Sequence, residues 1–209
     1  MMDLVVMGGL MMWVIIGAGL IATMIFLERL FHLHRAHIDA SDFLEGIYNV
    51  LRRRNVVEAV SICEETPGPV AHITRTAILQ GSRDAERVTR AIEGAGLAEI
   101  PRLERNISLL GMLALVAPLL GLLGTMLGLM QALWVIQRDA PLVAAGDLAV
   151  GVWQALITSA AGLAVAIPAH AGYHFLLYRL ECILLDMERA SVNLVDFLCK
   201  PEPAGPEEG

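Results

Sequence analysis

The sequence predicts an all-α membrane protein with three transmembrane helices, long cytoplasmic helical extensions, the N-terminus out and the C-terminus in. Three observations carry this. The chain of 209 residues is 56% apolar with positive mean hydropathy, well above an ordinary soluble domain. Its charges vanish from three runs, 4–27, 106–137 and 148–178, which hold no Asp, Glu, Lys or Arg. About 20 apolar residues cross a hydrocarbon core, so each run suffices for one span. The basic residues are also uneven: eleven of the 15 lie between Glu28 and Arg105, one (Arg138) follows the second run, and three follow the third. By the positive-inside rule the middle block and the tail are cytoplasmic.

The first span, 4–27, is apolar all round. Gly8, Gly9, Gly17 and Gly19 permit close approach of another helix. It reads as an uncleaved span: it lacks a basic leader, carries Asp3 ahead of it, and is too long for a signal peptide's apolar core. It ends at Glu28-Arg29-Leu30, followed by His32, His34 and His37. Those histidines read as polar anchors at the membrane boundary. A metal site is the alternative, but nothing else in the chain completes one, and no metal is expected.

The block 28–105 reads as a cytoplasmic helical domain. Asp42 with Glu45 and Asn55 with Glu58 resemble capping boxes ahead of periodic segments at 43–51 and 56–63. Thr66-Pro67-Gly68-Pro69 breaks the chain, a further helix covers 70–80, and Gly81-Ser82 is a turn with Ser82 as N-cap. From Arg83 onward there is no stop signal until about Gln137, so a helix with mixed charges on its face runs straight into the second span, 106–137. Pro101 and Pro118 each delete one backbone hydrogen bond and should bend it.

A short periplasmic loop, 138–147, contains Pro141 and Gly146 and makes spans two and three an antiparallel hairpin. The third span, 148–178, continues as a cytoplasmic helix over 179–200. The tail 201–209 (PEPAGPEEG) has nothing to bury and is expected to be disordered.

Several function classes fall away. A net charge of −7 with no basic stripe does not suit nucleic acid. Cys63, Cys182 and Cys199 are odd in number and scattered, as reduced cytoplasmic thiols would be. There is no nucleophile paired with a base and no phosphate loop, so neither an enzyme nor a cofactor is expected.

The informative groups are the few polar ones in spans two and three. Thr125 is accompanied by Gly121, Gly124 and Gly128; Gly151, Ala155 and Ser159 repeat at four, as do Gly162 and Ala166. Small residues at this spacing let helix backbones meet. One reading is a tight hairpin with satisfied hydroxyls. The other is a lining. Counted from the centres of their uncharged runs, Thr125 and Ser159 both sit about 6 Å outward of the midplane, level enough to face one site. Thr158 is about 100° round the helix from Ser159, and Gln154 lies further out. Pro118 and Pro168 bend the two helices. Moving a proton needs a titrating group, and spans two and three hold no carboxylate. His170 and His174, one turn apart toward the cytoplasmic end, read as interfacial, with a proton exit or a metal pair as alternatives. A conducting site therefore needs a carboxylate from a partner, and a single hairpin needs further copies to enclose a path.

At these residues the sequence resembles the ExbB/TolQ/MotA family of ion-driven motor subunits. The resemblance rests on APLLGLLGTMLGLM (Ala117–Met130), ALITSAAGLAVAIP (Ala155–Pro168), the Glu28-Arg29-Leu30 end, and the Glu58-Ala59, Cys63 and Pro69 pattern. A single span before the cytoplasmic block points to the ExbB or TolQ branch. The resemblance implies a homopentamer in the bacterial inner membrane, surrounding an ExbD- or TolR-like single-span partner that carries a membrane Asp. It implies that the proton gradient drives a TonB-like protein for outer-membrane import, or, as alternatives, a TolA-like protein for envelope integrity, or that the chain is a non-conducting scaffold. The family's functional Thr positions fall on Thr125 and Ser159. Its frequent Glu falls on Gln154, whose amide can bond but not carry a proton, so a structural or gating contact is expected there.

Overall fold

The computed structural model describes residues 9–36, 40–81, 84–139 and 145–199. The start of the first expected span (4–8), His37, the Ser82 cap, 140–144 and the tail lie outside them, as does the side chain of His34. The described residues form six helices and no strand: α1 (Gly9–Ala36), α2 (Ala40–Arg52), α3 (Val56–Glu65), α4 (Pro69–Gln80), α5 (Ala85–Asp139) and α6 (Ala145–Cys199). Among them α1, α5 and α6 are long and apolar enough to cross a membrane. The helix expected from Arg83 to Gln137 runs unbroken from Ala85 to Asp139, through both Pro101 and Pro118.

The short helices show how local chemistry sets their ends. Asn55 caps α3: its Oδ1 accepts the Glu58 N–H at 3.3 Å and its Nδ2 donates to the Glu58 carboxylate at 2.6 Å. This is a variant of the expected capping box, with Glu58 reaching the side-chain amide of Asn55. At the other site the helix begins earlier than expected. α2 starts at Ala40, so Asp42 lies inside its first turn, where a carboxylate still favours the helix dipole. Gly68 at φ 129° and Gly81 at φ 57° adopt left-handed backbone on either side of α4, which residues with a Cβ resist. Pro69 starts α4 where its missing N–H is not needed.

Contacts divide the chain into two compact units, Met1–Leu30 with Arg105–Leu177, and Phe31–Glu104 with Tyr178–Gly209. The second unit packs as a water-soluble domain does. Ile47, Ala59, Cys63 and Ile78 are buried together, with Phe43, Val50 and Ile62 packed round them. Tyr48 stacks on Phe197 at 4.3 Å between ring centroids, and the Arg52 guanidinium lies 6.0 Å over the same ring. Its surface carries ion pairs such as Arg75–Glu64 at 2.8 Å.

The first unit reverses that pattern. Its buried positions are mostly alanine and glycine, among them Ala114, Ala117, Ala132, Ala155 and Ala166, with Ile15, Ile107, Leu110 and Leu176 the larger members, while Leu119, Met126, Met130, Trp134 and Ile167 face outward. Small residues inside and large apolar ones outside suit a helix bundle in lipid, where close backbone packing and not expulsion of water holds helices together. At the end of α1, the Asn106 amide donates to both oxygens of Glu28 at 3.1 and 3.2 Å, tying α1 to α5.

Candidate functional site

The candidate site is the seam between α5 and α6 in the first unit. Glycine makes it possible. A Cβ added to Gly162 would lie 2.8 Å from the Gly121 Cα and 2.9 Å from the Ala117 carbonyl oxygen. One on Gly128 would meet the Gly151 carbonyl oxygen and the Ala155 nitrogen, both at 2.8 Å. Real Cβ atoms do not approach backbone so closely, so these positions require glycine for the helices to touch.

Two threonines occupy the seam. Thr125 Oγ1 donates within its own helix to the Gly121 carbonyl at 3.1 Å and across the seam to that of Ala155 at 3.3 Å. Thr158 Oγ1 lies 3.0 Å from the Ala155 and Gln154 carbonyl oxygens. The Ala155 carbonyl therefore receives a hydroxyl from each helix. Such bonds satisfy groups that have no water to turn to in hydrocarbon.

The register of the seam sets which polar groups are level. Thr125 stands opposite Ala155, Gly124 opposite Thr158, and Gly121 opposite the backbone of Ser159 and Gly162. Thr158 is thus the hydroxyl level with Thr125. Ser159, the next residue, lies only about 1.5 Å further along α6 but about 100° round it, so facing and not depth separates the two hydroxyls.

Exposure separates these groups further. Thr158 is fully buried at 0%, its side chain closed against Gly124, whereas Thr125 and Ser159 are half-buried and keep some surface open. The half-buried Gln154 points its amide at the start of α1: a Cβ on Gly9 would lie 2.7 Å from Nε2. Pro118 is half-buried. Pro168 is exposed and, with Gly19, Phe26 and Gly172, lines an apolar groove of about 490 Å³.

Two further contacts went unnoticed in the sequence. Gly111 receives the ring of Tyr173, and Gly172 that of Phe26, with approaches of 2.7 and 2.8 Å to an added Cβ. Isolated glycines without a four-residue repeat gave no periodic signal. Among the described residues, no group of three or more His, Cys, Asp or Glu is arranged to hold a metal.

These features define a class: an all-helical membrane protein whose two longest helices meet through glycine and carry hydroxyls at the contact. A family profile for the MotA/TolQ/ExbB proton channel family matches residues 65–189. The chain belongs to the MotA/TolQ/ExbB proton channel family. It is 28% identical over 192 residues to a putative ExbB-like biopolymer transport protein of Synechocystis, covering 90% of this chain and 91% of that one. It is 26% identical over 175 residues to a putative ExbB homologue of Methanothermobacter thermautotrophicus, covering 83% of this chain but 62% of the longer relative. A Tol-Pal system protein TolQ of Haemophilus influenzae is 37% identical over 97 residues, 46% of this chain and 42% of that one.

Proposed function

We propose that the chain is an ExbB-like subunit of an inner-membrane motor that uses the proton gradient to energise a TonB-like protein and outer-membrane import. The observation that carries this is the Thr125 hydroxyl, half-open at a glycine-lined seam, in spans that hold no carboxylate of their own. In this reading several copies, a pentamer by family resemblance, surround an ExbD-like single-span partner whose membrane Asp takes and releases the proton. The second unit, which holds 12 of the 15 basic residues, lies in the cytoplasm, and the N-terminus and the 138–147 loop face the periplasm.

The physical logic is a two-state one. An ionised Asp at membrane depth is costly, and protonation removes that cost. Thr125 and Ser159 offer hydroxyls to the charged form, while the small residues beside them let the neutral form move past. Thr158, closed in the seam, braces the register and holds the Ala155 carbonyl between two donors. Gln154 packs against α1 and keeps the outer end of the hairpin in place. One proton crossing 100 mV releases about 2.3 kcal/mol, enough to bias such a step. The TolQ-like role is the second reading, favoured by the relative from Haemophilus influenzae.

The test is Thr125→Val. It keeps the shape and removes the donor. Purified with its single-span partner and reconstituted, the variant should assemble normally and lose proton-dependent activity. Undiminished activity in an assembled Thr125→Val complex would overturn the lining role. Failure of any Asp-bearing single-span protein to co-purify would overturn the motor reading itself.

A further inference from the structure

His170 and His174 sit one turn apart on α6, outside the seam just described, and nothing in the proposed mechanism uses them. Their Nε2 atoms are 3.3 Å apart, with ring centroids at 4.8 Å and planes inclined at 73°. Two nitrogens that each bind one tetrahedral ion at about 2.0–2.1 Å stand about 3.3–3.4 Å from each other. The rings therefore already present the bite that a single ion requires. The i, i+4 spacing is the one by which a helix places two histidines on one zinc ion in metalloproteases.

We propose that His170 and His174 form a bidentate site for a divalent transition-metal ion, one per chain, with water completing the coordination. The support around the pair favours this geometry. Tyr173 is wedged against Gly111, whose added Cβ would lie 2.7 Å from its ring, and so is held from swinging away. Its ring meets that of His174 at 5.2 Å and 65°, edge to face. A ring restrained in this way loses less freedom on binding an ion. Both histidines are exposed, leaving the outer coordination positions open. Without the ion, one Nε2–H can face the other ring's Nε2 lone pair; on binding, that ring takes its Nδ1–H tautomer, so both Nε2 lone pairs face the metal and both imidazoles stay neutral. Imidazole ligands select Cu²⁺, Ni²⁺ and Zn²⁺ over Mg²⁺ and Ca²⁺, with Cu²⁺ held most tightly.

The experiment uses the full chain in detergent with any affinity tag removed. His32, His34 and His37 are replaced by Asn throughout to silence that run. Cu²⁺ is titrated and its electron spin echo spectrum recorded. The expected result is one ion per chain with two equivalent imidazole nitrogens. His170→Ala and His174→Ala should each leave one imidazole and weaken binding at least tenfold, with helix content by circular dichroism unchanged. A spectrum without paired imidazoles in the parent chain would overturn the site. So would either alanine variant binding Cu²⁺ as the parent does.

Discussion

The two units of this chain hold themselves together in opposite ways. In the second, side chains fill the interior: Ile47, Cys63 and Ile78 interlock beneath caps and surface ion pairs. In the first, backbones meet at Gly121, Gly128, Gly151 and Gly162, and most of the large side chains point away. The same residue type thus means different things in the two places. A glycine in the seam is a contact surface, whereas Gly46 in α2 has open space where its Cβ would stand. A water-soluble interior gains by removing apolar area from water, but lipid offers no such gain, so close contact between backbones takes over.

The sharpest way to break the comparison is Gly162→Leu. Four carbons would be forced into the space held by the Gly121 Cα and the Ala117 carbonyl, and α5 and α6 cannot then meet. We expect loss of folded, assembled protein, read as the yield of monodisperse complex in detergent. A stable complex with this substitution would show that the glycine contact is dispensable.

Next in size is Ile47→Ala in the second unit. Ile47 is fully buried, and its truncation should cost about 2–5 kcal/mol by thermal or denaturant unfolding. The reverse sign is expected at Gly46. With nothing to clash against and a helical position to stiffen, Gly46→Ala should stabilise by about 0.5–1 kcal/mol. Destabilisation there would mean that the face of α2 is covered in the assembled protein.

The smallest effect concerns Cys63. Burial pushes its thiol up to about 11, with nearby Arg75 lowering it and Glu64 raising it. Folding favours the protonated form, so this contribution to stability is full below the ordinary value of 9.0 and is lost as pH rises towards about 11. At pH 8 only about 0.1% is thiolate, the reactive form. Maleimide labelling should reach Cys63 last, after the half-buried Cys182 and Cys199. Equal labelling rates at the three sites would contradict that ordering.

Much of this architecture was legible in the residues. The three uncharged runs, the unbroken helix through Pro101 and Pro118, and the break at Thr66–Pro69 follow from charge, length and turn chemistry. The Asn55 cap was visible because a cap is local. The start of α2 lies three residues before the Phe43 that an Asp42 cap implies, since the ends of an amphipathic helix depend on what it packs against. Thr125 stands out in the sequence as a polar group among glycines, but its acceptor, the Ala155 carbonyl, lies 30 positions away and no local pattern points to it.

The sequence by itself determined that this chain crosses a membrane. Hydrocarbon admits only long apolar segments whose backbone bonds are internal, and that demand is written in composition. Only the tertiary structure decided which groups meet. The register of α5 against α6 brings the Thr158 and Thr125 hydroxyls to the same Ala155 carbonyl and buries Thr158, while Ser159, about 100° round the helix, keeps some surface open. It also seats Tyr173 on Gly111, beside the paired rings of His170 and His174. Register depends on how small surfaces on two helices interlock, and that is a property of the pair which neither segment carries alone.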